Sequence, residues 1–90
     1  MFINLQREKL NKQEVSDRGI TSWPIWSKDV SRFDYTYATT EECYIIEGEF
    51  YVETEDETFH IQAGDFVTFK VNLHCTWDIK SPVRKHYNFP

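Results

Sequence analysis

Between Leu73 and Ile79 apolar and polar residues alternate without a break: Leu73, Cys75, Trp77 and Ile79 face one way, and His74, Thr76 and Asp78 the other. A period of two belongs to a strand with one buried face. The same period recurs in shorter runs. Phe33, Tyr35 and Tyr37 alternate with Asp34 and Thr36, Phe50 and Val52 share one side of residues 49–54, and Phe59 and Ile61 alternate with His60 and Gln62. Residues 66–69 read as a short apolar strand. In the last segment Val83, Lys85, Tyr87 and Phe89 share one face, and Arg84, His86 and Asn88 the other. Residues 41–47 differ, because Cys43 and Ile45 lie on the Glu41 face while Tyr44 and Ile46 make the opposite face apolar too. Both faces then need cover, from another sheet or another subunit.

Turn residues separate these runs. Gly48 is expected to end the strand over 41–47, Glu55-Asp56-Glu57 to form a charged hairpin tip, Ala63-Gly64-Asp65 to turn, and Ser81-Pro82 to break the strand that begins at Leu73. Short alternating segments with no helical period beyond Ile20 indicate an all-β sandwich or barrel. Ahead of Ile20 the chain is different. Phe2-Ile3-Asn4-Leu5 reads as a short strand and the polar stretch after it as a connector. Asn11-x-x-Glu14 has the form of a capping box and Gly19 stands where a helix ends, which predicts one short helix over about residues 12 to 18. Trp23-Pro24-Ile25-Trp26 is edge strand or extended coil, with its rings over an open end or side of the barrel.

Ninety residues make a single core, divided here into an N-terminal strand and connector, residues 1–19, and a β domain, residues 20–90. An aromatic fraction of 17% lets few residues bury much area. The net charge of -5 argues against nucleic acid and against an anionic membrane surface as partners. No apolar run approaches the roughly 20 residues that span a bilayer, and MFINLQREKL lacks an apolar leader core, so a cytoplasmic protein is expected. Cys43 and Cys75 are too few for a disulfide framework and match no zinc spacing; both are read as reduced thiols.

The segments Trp23-Pro24-Ile25-Trp26, Glu41-x-Cys43-Tyr44-Ile45-Ile46-Glu47-Gly48-Glu49, Ala63-Gly64-Asp65, Trp77 and Val83-Arg84-Lys85-His86-Tyr87 resemble the small single-domain cupins. That branch holds the cupin domains of ureidoglycine aminohydrolase and of the ethanolamine-utilisation cupin. The resemblance covers residues 20–90 and implies an RmlC-like jelly roll, a double-stranded β-helix. Metal-binding cupins carry His-x-His, then Glu, then a Gly seven residues later, with one more His in a second motif. Counted from Gly48 and Gly64, those positions fall on Tyr35, Tyr37, Glu41 and Cys75. A phenol is a poor ligand for a divalent first-row metal. His74 faces away from Cys75, His60 alternates with Phe59 and Ile61, and His86 lies far along the last strand. No metal and no cofactor are therefore expected.

Each candidate residue has two readings. Glu41 is either a mouth residue paired with Lys85 or Arg32, or a general acid or base whose charge is disfavoured by an apolar surround of Tyr35, Tyr37 and Trp77. Tyr35 and Tyr37 fill the barrel or hydrogen-bond a small polar ligand. Cys75 is a small buried hydrophobe or, with Lys85 as its cationic neighbour, a nucleophile. Cys43 is read as core, and Trp23 and Trp26 as packing residues or pocket walls. The first functional expectation is a binding module holding a small polar metabolite among Tyr35, Tyr37, Glu41, Cys75, Trp77 and Lys85. The rivals are a divalent-metal-dependent aminohydrolase-like enzyme on a small nitrogenous metabolite, and a structural or assembly protein. A homodimer is expected, to cover the Tyr44 and Ile46 face.

Overall fold

The computed structural model describes residues 4–90, so Phe2 and Ile3 of the expected first strand lie outside the described residues. Strand β1 (Leu5–Lys9) is followed by helix α1 (Lys12–Asp17) and a 3-10 turn (Ile20–Ser22). Strands β2 (Ile25–Lys28), β3 (Ser31–Thr36), β4 (Glu41–Glu53), β5 (Thr58–Gln62), β6 (Asp65–Phe69) and β7 (His74–Asn88) complete the chain. Every pairing is antiparallel. The all-β jelly-roll barrel expected from the sequence is the fold.

The long strands β4 and β7 lie side by side in one seven-stranded sheet and run through both halves of the barrel. One end of the pair sits in the order β1-β6-β4-β7-β2, and the other end is flanked by β5 and β3. A single core cluster draws on both halves: Cys43 and Ile45 from one, Phe50, Trp77 and Ile79 from the other.

Two expected strand ends are instead bends. Gly48 does not stop β4, and Ser81-Pro82 does not stop β7; the register between the two strands slips at Glu47 and Glu49 and both continue. Gly48 has φ +104°, and a Cβ there would stand 2.7 Å from Val83 Cα, so only glycine lets the strands pass this closely. Proline fits opposite such a slip, where the ladder has already lost its regular bonds. The N-terminal strand also runs further than its pattern showed, because β1 is an edge strand that buries only Leu5 and leaves Gln6 to Lys9 exposed. An edge strand with one buried residue has no apolar period to read.

The capping box forms as expected, with Asn11 Oδ1 accepting from the Glu14 N–H at 2.9 Å and Glu14 Oε1 accepting from the Asn11 N–H at 3.1 Å. Helix α1 and the 3-10 turn place Leu10, Val15 and Ile20 over Phe66, with Trp23 and Tyr44 packed against them. Tyr44 on the outer face is thus partly covered within the chain, and it and Ile46 both stay half-buried. Among the described residues no helix is long and apolar enough to cross a membrane.

Candidate functional site

A cavity of about 180 Å³ opens at the side of the barrel where β2, β3, β4 and β7 meet. Its inner wall is made of Tyr37, Glu41, Trp77 and Lys85, all nearly sealed from solvent. Trp26, Phe33, Tyr35 and Phe89 surround the way in, and of these Tyr35 and Phe89 are well exposed.

At the centre stands a buried ion pair. Lys85 Nζ donates to Glu41 Oε2 at 2.7 Å and to Cys43 Sγ at 3.2 Å, and Cys43 Sγ donates to the same Oε2 at 2.9 Å. Strand register explains the meeting: Ile45 pairs with Lys85 and Cys43 with Tyr87, while Glu41, Cys43 and Ile45 share the inward face of β4. The ammonium also lies 4.8 Å from the Trp26 ring centroid and 5.0 Å from that of Trp77, within range of attraction to both π-faces. Burial works against the Lys85 charge, but the Cys43 sulfur and the Glu41 carboxylate outweigh it and hold Lys85 above the ordinary lysine value. Lysine stays charged here.

Hydrogen-bonding capacity is left over at the inner wall. Glu41 Oε2 accepts two bonds, whereas Oε1 has no partner among the described residues and is not a sealed, orphaned atom, so it looks into the cavity. Tyr37 Oη accepts from Trp77 Nε1 at 3.2 Å, and its own proton has no acceptor among the described residues. Burial, reinforced by the nearby thiols and Glu41, pushes the Tyr37 hydroxyl well above the usual phenol value. It is a neutral donor. The ring is fixed between Phe69, stacked at 4.7 Å, and Tyr35, edge-on at 4.7 Å. Trp77 is fixed in turn by stacking on Phe50 at 4.2 Å.

Of the six residues singled out in the sequence, Tyr35, Tyr37, Glu41, Trp77 and Lys85 line one cavity, and Cys75 does not. Cys75 lies opposite Tyr35 in the register of β3 and β7 and has no cationic partner among the described residues; burial, with Asp34 adding to it, pushes its thiol up to about 11. The thiol beside Lys85 belongs to Cys43 instead, and burial pushes that one up as well. A nucleophilic thiolate is disfavoured at both positions. Arg32 is not the partner of Glu41; it forks onto Glu53 at 2.8 Å and approaches Asp78 at 3.4 Å. The two tryptophans diverge, Trp23 to the outer cluster against Phe66 and Trp26 to the cavity, where it meets Trp77 edge-on at 5.9 Å. Sequence reasoning passed over Cys43, Phe33 and Phe89 as site residues, while the pocket-wall reading of Trp26 agrees with its place in the lining. The shared face of Glu41 and Cys43 was the available signal for the first.

The donor set does not suit the divalent ion of metal-binding cupins. Two phenols and a thiol, the buried ones kept protonated, replace three imidazoles, and the one carboxylate already has an ammonium on it. Among the described residues no three His, Cys, Asp or Glu side chains converge to hold a metal ion.

The sequence matches the EutQ-like cupin domain over residues 15–87. The chain belongs to the EutQ-like cupin family. Its fold is that of a DUF861 family protein from Thermotoga maritima, 45% identical, with a TM-score of 0.90 over 96% of this chain and 99% of that one. A putative ethanolamine utilization protein Q from Salmonella typhimurium shares the fold at 22% identity and TM-score 0.64, over 92% of this EutQ-like cupin and 66% of that protein. The Clostridium difficile EutQ protein does so at 16% and 0.67, over 96% of this chain and 68% of that one. No curated protein matches.

Proposed function

We propose that this EutQ-like cupin is a binding module that takes a small polar metabolite into the barrel without a metal ion. The supporting observation is the pairing of a 180 Å³ cavity with a buried Glu41–Lys85 ion pair at its inner wall. Desolvating two charges is costly, and apolar residues of similar volume commonly serve stability as well or better. A void beside such a pair adds a second cost, the lost packing. Both costs are intelligible if a ligand fills the space and uses the open oxygen of Glu41 and the unused hydroxyl proton of Tyr37.

The structural or assembly reading fits a filled interior better than this one. The aminohydrolase-like reading needs a Lewis acid, for which the donor chemistry is unsuited, and a general acid or base at Glu41 would have only Oε1 to work with, since Oε2 is engaged twice. The test is a thermal-shift screen of small polar metabolites, joined to mass spectrometry of whatever the native protein releases on denaturation. Glu41→Gln, which leaves the Lys85 ammonium without its counter-charge, should weaken the stabilisation by each uncharged hit. If it leaves every hit unchanged, the proposed pocket is not the binding site.

A further inference from the structure

The charge balance of the inner wall restricts the class of ligand, given the binding role just proposed. Glu41 and Lys85 are buried together, with side-chain exposures of 8% and 7%, and each cancels the other. An incoming cation would stand beside an ammonium that already occupies the space between the Trp26 and Trp77 rings. An incoming anion would stand beside the Glu41 carboxylate. Attraction to one member of the pair is offset by repulsion from the other, so nothing compensates the desolvation of an incoming charge, and a net charge of either sign is disfavoured.

What the wall offers is a set of partners with no net charge: one acceptor at Glu41 Oε1, one donor at Tyr37 Oη, and a third N–H on Lys85 beyond the two it uses. The remaining surfaces are flat rings, with Phe33 stacked on Trp77 at 5.8 Å and 21°. A cavity of about 150 Å³ holds a benzene ring, so this one holds one ring with a small polar group. We infer that the ligand is an uncharged, planar, ring-sized molecule carrying a hydrogen-bond donor next to an acceptor, as in a carboxamide attached to a ring.

Benzamide, benzoate and benzamidinium form a series of nearly one shape that differs in charge, and titration calorimetry with thermal shift compares them on the wild-type chain at neutral pH. Benzamide should bind at least about tenfold more tightly than either ion. Lys85→Met, which leaves the carboxylate alone, should turn the preference to benzamidinium, and Glu41→Gln should turn it to benzoate. The double variant Glu41→Gln/Lys85→Met, neutral again, should return to benzamide. If a single variant does not fold, the wild-type series still decides. Benzoate or benzamidinium binding the wild type as well as benzamide overturns the neutral-ligand inference and leaves the binding role standing. Failure of all three overturns it too, and the binding role falls with it only when the metabolite screen is also blank.

Discussion

Replacing Lys85 with Met removes an ammonium and keeps most of the side-chain volume, so its cost isolates the charge interaction with Glu41. The partner left behind is a carboxylate with 8% side-chain exposure whose Oε2 retains only the Cys43 thiol as donor. Breaking a buried ion pair on one side costs about 3–5 kcal/mol. Because Oε1 opens to the cavity and water can reach it, the lower end applies, about 3 kcal/mol. In a domain of this length such a loss lowers the melting temperature by about 12–24 °C, at roughly 4–8 °C per kcal/mol. Replacing both partners, Glu41→Leu with Lys85→Met, should recover most of it, since a matched apolar pair leaves no lone charge. Urea denaturation of the wild type, both single variants and the double variant closes the cycle, with an expected coupling of about 3 kcal/mol. A single Lys85→Met variant within about 0.5 kcal/mol of wild type would mean that the pair is solvated in solution, and the electrostatic account of the site would fail.

Cys43, Cys75 and Tyr37 are all held protonated by burial, Cys75 up to about 11. The unfolded chain therefore loses these protons first, and stability should be full below about pH 8.5 and fall above it, by about 1.4 kcal/mol per pH unit for each thiol once past its unfolded value. Lys85, also held above its ordinary value, adds to the same fall only above about pH 10.4. Denaturation midpoints that stay flat to pH 10 would contradict the burial of the thiols, and Cys75→Val should remove one proton's share of the slope. Gly48→Ala places a Cβ against Val83 Cα and forces φ +104° on an alanine; the expected loss is at least about 3 kcal/mol. An unchanged thermal melt would show that the two strands are less tightly apposed than described.

The sequence exposes those parts of the molecule whose pattern is local. The alternation through Leu73, Cys75, Trp77 and Ile79 marks one buried face of β7, and all four are buried. Asn11 and Glu14 mark a helix start three residues apart. The site was harder because its members meet across strands. Alternation places Lys85 with Val83 and Tyr87, but only the pairing of Ile45 with Lys85 brings its ammonium to Glu41. The same pairing decides between the two cysteines: Cys43 lies two residues from Glu41 on one face, and Cys75 lies opposite Tyr35 in the pairing of β3 with β7. Gly48 and Pro82 were misleading for a related reason. Taken singly they signal stops, and only side by side do they make a shared bend.

That bend has a mechanical consequence. Since β4 and β7 run through it into both halves of the barrel, neither half can be peeled away while the other stays whole; the molecule is laced along its middle rather than stacked. Slow-exchanging amides on either side of Gly48 should therefore open together in one global event, leaving only the marginal strands β1, β2, β3 and β5 to fray on their own.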